Sequence, residues 1–268
     1  MSRSRIAALF LLPDCNLDCR FCGSDLSFPA LSQDEVKRTL SFLMQEGYTN
    51  VVLGGGEPLL WKGGLTEVAQ FAQDLGFVVQ LNTNGISWPQ GLEGTGRFDR
   101  IILPLDGATR ASHDFLRSPR GGHRALIEKR LKQLCNTGQS ISIGTVVCQK
   151  NQSELMELGQ ELAQWVHRGL SLHAWHLYRF IPIGRGGAQQ GREDELGLTR
   201  EVFKALCLPV QHTFPWKIYR RPNMMKSETV DFFWKEKGAW HTSGTGDATR
   251  KISSAVALDV ESVRRNLV

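Results

Sequence analysis

Residues 6–22 read IAALFLLPDCNLDCRFC, an apolar run followed closely by three cysteines within eight positions. The run Ile6–Leu12 predicts a buried first β-strand. Cys15, Cys19 and Cys22 have the spacing C-x3-C-x2-C on the loop that leaves this strand. Three thiols so close together could be disulfide partners, zinc ligands, redox thiols or iron–sulfur ligands.

The following residues alternate amphipathic helices with apolar, β-branched runs. Capping residues and helical spacing predict helices over Ser32–Glu46, Leu65–Leu75, Arg124–Asn136 and Ser153–His167. The runs TNVVLGGGEP, FVVQLNTNG, DRIILPLDG, SISIGTVV and LSLHAWHLYRF predict five further strands. Such alternation is typical of a parallel sheet built from βαβ units. Six strands are too few for a closed eight-stranded barrel, so we expect an α/β fold with a partial (β/α)6 barrel.

The character of the chain changes from Gly184 onward. The glycine-rich stretch IGRGGAQQGRED leads into one predicted helix, at about Thr199–Leu206. DFFWKEKGAW then predicts a β-hairpin that turns at Lys237-Gly238. We therefore expect two parts, a barrel over residues 1–187 and a small irregular extension over residues 188–268 that covers the barrel mouth.

Composition excludes several classes of protein. The net charge of +5 is mild, and no basic block with interleaved aromatic residues predicts a nucleic-acid surface. No stretch approaches the ~20 apolar residues that span a bilayer, and the first apolar run is short for a signal peptide. We expect a cytoplasmic protein, in which disulfides are uncommon.

The donor set around the cysteines favours an iron–sulfur site. Residues 11–30 contain no histidine, so a zinc site here would lack its fourth ligand. Three thiolates can instead hold three irons of a [4Fe–4S] cluster and leave the fourth iron open to a small molecule.

The cysteine motif together with GGEP at Gly55–Pro58 resembles the radical S-adenosylmethionine (SAM) superfamily. The motifs NTNG, LDG and IPIGRG agree in order and in their positions at strand ends. The resemblance implies that Cys15, Cys19 and Cys22 carry a [4Fe–4S] cluster and that SAM binds its open iron. It also implies reductive cleavage of SAM to a 5′-deoxyadenosyl radical, which takes hydrogen from a small-molecule or peptide substrate. The electron would come from a partner such as flavodoxin or ferredoxin.

The same resemblance assigns further residues. Those implied to contact SAM are Phe21, Gly55, Gly56, Glu57, Asn82, Asn84, Asp106, Thr145 and Ile183. Substrate contacts are expected from His176, Arg179, Arg117, Arg120 and Arg185, with the three last-named arginines on rim loops. Cys148 and Tyr178 are candidates to return a hydrogen atom to a product radical. The chain departs from many relatives in having Pro104 where they have serine, and it has Ser142 and Gly144 where molybdenum-cofactor cyclases have lysine and asparagine.

The stretches LDGATRASHDFLRSPRGG and YRFIPIGRG resemble the subgroup that makes the molybdenum cofactor, processes haem and modifies peptides. Cys207 is the single cysteine after residue 187, which predicts one cluster and no auxiliary one. Two alternatives stay open: a viperin-like nucleotide dehydratase, and a non-enzymatic iron–sulfur sensor or scaffold. The intact GGEP argues against a sensor, because a sensor does not need a SAM-binding loop.

Overall fold

The computed structural model describes residues 5–24, 28–92, 96–117, 121–227, 229–237 and 239–243. The strands are β1 (Ile6–Phe10), β2 (Asn50–Gly54), β3 (Val78–Asn82), β4 (Arg100–Pro104), β5 (Ser140–Val147), β6 (Leu172–Arg179), β7 (Lys217–Arg221), β8 (Val230–Glu236) and β9 (Ala239–Ser243). The helices are α1 (Gln33–Gln45), α2 (Leu65–Asp74), α3 (Arg110–Arg117), α4 (His123–Leu134), α5 (Leu155–His167), α6 (Gly184–Gly187), α7 (Arg192–Leu196) and α8 (Arg200–Thr213). The predicted α/β class is confirmed, and all six predicted strands form.

The described chain divides into two compact units. The first consists of the described residues within 1–14, 27–80 and 225–268. Its central strand β1 pairs in parallel with β2 on one side and with β8 on the other. β9 pairs antiparallel with β8, so the predicted hairpin is confirmed. The hairpin therefore extends the sheet beside β1.

The second unit contains residues 15–26 and 81–224. Its strands lie in the order β7-β6-β5-β4, and all neighbours are parallel. On one face of these strands, Ile143, Trp175 and Leu177 are fully buried. Helix α8 packs against β6 and β7. Alternation along the strands puts Ser142, His176 and Tyr178 on the opposite face.

Three local predictions need correction. The helix expected to end near Leu206 continues to Thr213 with Pro209 inside it. Strand β7 was not predicted. Arg117 is the last residue of α3, and Arg185 lies in the short helix α6, so neither is on a loop as expected.

None of the described helices combines the length and apolar composition needed to cross a bilayer.

Candidate functional site around the cysteine loop

The three clustered cysteines lie on the loop between β1 and α1. None of the three forms a disulfide with another described cysteine; Cys19 is buried, while Cys15 and Cys22 are half-buried. The loop is tightened by a hydrogen bond from the Cys22 amide to the Cys19 carbonyl, at 3.0 Å. Burial raises the pKa of Cys19 to about 12, although the nearby Arg117 opposes this shift. Without a metal, the Cys19 thiol is therefore protonated at neutral pH, and metal binding would have to displace its proton.

Arg185 lies beside two of these thiols. Its Nη2 donates to the Leu17 carbonyl at 3.0 Å. Burial lowers the pKa of Arg185, but Cys22 and then Cys15 more than offset this, so the pKa is raised overall. Its buried Nε has no hydrogen-bond partner in the described part of the chain. Arg185 was predicted to bind substrate, and in the structure it contacts the cysteine loop.

Arg117 and Phe21 form a second contact with this loop. The Arg117 Nε donates to Asp106 Oδ2 at 2.5 Å, and its guanidinium carbon lies 4.8 Å from the centre of the Phe21 ring. Burial lowers the pKa of Arg117, but the Asp106 carboxylate more than offsets this, so the pKa is raised overall. Like Arg185, Arg117 was expected to bind substrate; in the structure its guanidinium contacts Asp106 and Phe21.

The segment after β6 packs directly on the cysteine loop. The amides of Gly186 and Gly187 both donate to the Cys22 carbonyl, at 3.0 and 3.3 Å. A Cβ atom on Gly186 would lie 2.2 Å from the Cys19 carbonyl oxygen. Ile183 precedes α6, and its side chain approaches Gly23 closely. The glycines of IPIGRGG thus permit a backbone contact that larger residues would prevent.

Asp106 connects the ends of β4 and β5. It is fully buried, and its Oδ1 accepts from the Val146 amide at 2.6 Å. The Thr145 hydroxyl donates to the Leu105 carbonyl at 2.5 Å. It also accepts from the Trp175 indole at 2.8 Å. Both predicted SAM contacts therefore have structural hydrogen bonds of their own.

A buried histidine pair joins this region to the end of β3, and sequence reasoning missed it. The Asp106 amide donates to His113 Nδ1 at 3.0 Å, which leaves the His113 proton on Nε2. His113 Nε2 then donates to His123 Nδ1 at 2.8 Å, and His123 Nε2 donates to the Asn84 carbonyl at 2.9 Å. Burial lowers the pKa of His113 to about 2 and also lowers that of His123, so both rings are neutral.

The chain of hydrogen bonds ends at a cysteine. The Asn84 amide nitrogen lies 3.6 Å from Cys15 Sγ and donates to Asn16 Oδ1 at 2.7 Å. Asn82, two residues earlier, is exposed. The histidines stand ten residues apart on α3 and α4, a spacing that gives no local signal of pairing.

The GGEP segment belongs to the first unit. The Gly56 amide donates to the Leu12 carbonyl at 2.7 Å, and the Glu57 amide donates to the Asp14 carbonyl at 2.8 Å. A Cβ atom on Gly56 would lie 2.0 Å from the Asp14 carbonyl oxygen, so this close approach requires glycine. The buried Glu57 carboxylate accepts from the Leu59 amide at 3.0 Å, which orders the turn after Gly55 and Gly56.

The other predicted residues lie in different surroundings. Cys148 is fully buried in an apolar cluster with Leu116 and Phe180, and burial raises its pKa to about 11. Arg179 donates to two backbone carbonyls on neighbouring loops. His176 and Tyr178 share one face of β6, as predicted. Arg120 lies outside the described residues.

Comparison with known proteins gives consistent matches. A model of the radical SAM superfamily matches residues 9–162. An AdoMet-dependent heme synthase from Methanosarcina barkeri is 30% identical over 192 residues, covering 68% of this chain and 52% of that protein. A GTP 3′,8-cyclase from Campylobacter fetus is 28% identical, covering 54% and 47%. The crystal structure of Streptococcus suis SuiB bound to precursor peptide SuiA has a TM-score of 0.67 at 13% identity, covering 84% of this chain and 50% of that one. The chain spans about half the length of the curated relatives it matches.

Proposed function

Because the chain belongs to the radical SAM superfamily, whose members use a [4Fe–4S] cluster and SAM, we propose that it is an enzyme that cleaves SAM reductively. When bound at Cys15, Cys19 and Cys22, the cluster would supply the electron for reductive cleavage of SAM, the source of the radical that takes hydrogen from the substrate. The observation that carries the proposal is the cysteine loop, which places three thiols within eight residues beneath the α6 backbone.

The residues present fit such a cluster. Cys15, Cys19 and Cys22 would hold it, and their thiols would lose their protons on binding. The orphaned Nε of Arg185 and the amide of Asn84 lie beside these thiols. Hydrogen-bond donors and positive charge of this kind stabilise electron-rich sulfur.

The chain's own residues would orient SAM and protect the reaction. The close backbone approach at Gly56 leaves no room for a side chain beside the residue that precedes Cys15. This supports a role for Gly55, Gly56 and Glu57 in binding SAM. Phe21, with Arg117 over its ring, packs against an apolar cluster that would keep water from the radical step.

The substrate is a small molecule or a peptide in this proposal. Relatives named for haem synthesis and GTP cyclisation support a biosynthetic role. We place the reaction in the reducing cytoplasm, with flavodoxin or ferredoxin as the electron donor. Residues 1–187 would form the catalytic barrel, and residues 188–268 would carry no auxiliary cluster because they contain one cysteine.

The test begins with anaerobic reconstitution by iron and sulfide. Wild-type protein should bind about four irons per chain and, with dithionite and SAM, release 5′-deoxyadenosine, measured by chromatography. Cys19→Ala should do neither. Cys135→Ala is the matched control, because it removes a thiol outside the loop and should behave as wild type. Failure to assemble a cluster contradicts the proposal, and a cluster without 5′-deoxyadenosine favours the iron–sulfur sensor.

A further inference from the structure

The loop after β3 sets the direction of the Asn84 side chain. The Ile86 amide donates to Asn84 Oδ1 at 2.9 Å, which fixes one end of the planar side-chain amide. The nitrogen at the other end then points to the cysteine loop. It lies 2.7 Å from Asn16 Oδ1 and 3.6 Å from Cys15 Sγ. The loop after β3 therefore directs a hydrogen-bond donor at a sulfur that the proposed cluster would use.

His123 holds the backbone of this loop. Its Nε2 donates to the Asn84 carbonyl at 2.9 Å. Only 3% of the surface of His123 and 7% of that of Asn84 is exposed, so this hydrogen bond is shielded from water. A buried carbonyl that loses its donor is costly, because water does not replace the hydrogen bond. The position of Asn84 therefore depends on the His123 ring.

Helices α3 and α4 hold His123 in turn. His123 is the first residue of α4, and the residues on either side of it are bound to Asp114 of α3. The Asp114 carboxylate accepts from the Gly122 amide and from the Arg124 amide, both at 2.8 Å. The His113 ring stacks on the His123 ring, with centres 5.1 Å apart and planes 17° from parallel. Both the backbone and the ring of His123 are thus fixed.

A backbone amide sets the direction of the whole chain of hydrogen bonds. The Asp106 amide can only donate, so His113 accepts at Nδ1 and has its proton on Nε2. That proton is donated to His123 Nδ1, which leaves the His123 proton on Nε2, facing the Asn84 carbonyl. Burial lowers the pKa of both rings, so each is neutral and has a single N–H group. The same tautomer is therefore required at both histidines.

We propose that His113 and His123 are positioning residues for the cluster. They hold the loop after β3 where the Asn84 amide can donate to the sulfur of Cys15. This inference rests on the proposed function, since it concerns the tuning of the same cluster. Hydrogen bonds to the sulfurs help to set the reduction potential of an iron–sulfur cluster. A donor aimed at a ligand sulfur favours the electron-rich, reduced cluster and so raises its midpoint potential.

Redox titrations of the reconstituted full-length protein, followed by electron paramagnetic resonance, test the proposal. His123→Phe keeps a ring to stack on His113 but donates no hydrogen bond to Asn84, so its midpoint potential should lie below that of wild type. His123→Gln retains an N–H donor and should recover most of the difference. His167→Phe makes the same change at the exposed end of α5 and should have the wild-type potential.

A double variant separates positioning from a general loss of structure. If His123 acts through Asn84, adding His123→Phe to Asn84→Leu should lower the potential no further. Additive shifts would overturn the proposal. So would a wild-type potential in His123→Phe, or a His123→Gln variant that recovers nothing. The midpoint potential does not depend on how much of the protein carries a cluster, so incomplete loading of a variant does not obscure the comparison.

Nitrogen NMR of wild type with labelled histidine rings and an oxidised cluster checks the geometry without any substitution. His113 and His123 should both be neutral with the proton on Nε2. A charged ring, or a proton on Nδ1 of either ring, would overturn the proposal. None of these measurements requires SAM cleavage. Absence of a cluster contradicts the proposed function, whereas a cluster whose potential is insensitive to His123 contradicts this inference alone.

Discussion

Gly186→Ala should disrupt the cysteine loop without altering any thiol. The new Cβ atom would lie 2.2 Å from the Cys19 carbonyl oxygen and 2.7 Å from the Cys22 nitrogen. These are backbone atoms, so no side-chain rotation relieves the contact, and the loop would have to retreat by about 1 Å. Gly186 does not have a positive φ angle, so the effect is steric and not conformational.

The magnitude follows from the contacts that are lost. Overpacking costs about 1–3 kcal/mol. The two hydrogen bonds from Gly186 and Gly187 to the Cys22 carbonyl contribute about 1 kcal/mol each. We expect the free energy of unfolding to fall by about 3–5 kcal/mol, a large share of the total for a domain.

Two measurements check this prediction: denaturant unfolding, and iron and sulfide content after anaerobic reconstitution. Gly23→Ala is the matched control, because its Cβ atom would meet Ile183 at 3.4 Å, an ordinary contact. The control should keep wild-type stability and iron content, whereas Gly186→Ala should lose both. Wild-type stability and iron content in Gly186→Ala would refute the packing of α6 on the cysteine loop.

Two further predictions concern the buried chain of hydrogen bonds. Asn84→Leu removes the amide 3.6 Å from Cys15 Sγ, and the loss of about 1 kcal/mol of hydrogen bonding should lower the cluster's midpoint potential by about 40 mV. A redox titration followed by electron paramagnetic resonance measures this, with the exposed Asn82→Leu as control; equal potentials would show that the contact is not made to the bound cluster. Burial lowers the pKa of His113 in the folded protein to about 2. The contribution of this neutral ring to the free energy of unfolding is therefore complete above about pH 6.5, the pKa of an unfolded histidine. Below that pH it is lost at about 1.4 kcal/mol per pH unit. Urea unfolding at several values between about pH 7 and pH 5 gives the free energy of unfolding as a function of pH. This free energy should fall less steeply with decreasing pH for His113→Gln than for wild type. An identical pH dependence would contradict a neutral, buried His113.

Local sequence patterns predicted the strands that are apolar on the helix-covered face. They did not predict β7, because KIYRR is short and rich in charge, and its place depends on pairing with β6. The end of α8 was also missed, since Pro209 usually stops a helix. Here the helix continues to Thr213, whose hydroxyl donates to the Pro209 carbonyl at 2.8 Å.

The site shows the same division between local and distant determinants. The spacing of Cys15, Cys19 and Cys22 is a local pattern, and from it the sequence predicts these three residues as ligands of a cluster. The contacts of Asn84 with Cys15, and of His113 with His123, join residues far apart or on different helices. Hydrogen-bond partners of this kind depend on tertiary packing, which one sequence does not encode in any local pattern.

The parallel pairing of β1 with β8 has a consequence for biosynthesis on the ribosome. Ile6 pairs with Val230. More than two hundred further residues must therefore be synthesised after β1 before β8, its second neighbour in the sheet, can pair with it. Until then, one edge of β1 has unpaired backbone groups that other chains can recruit. Contacts of such long sequence separation also form slowly. During synthesis β1 is therefore open to pairing with other chains, and a chaperone that shields this edge would prevent such pairing.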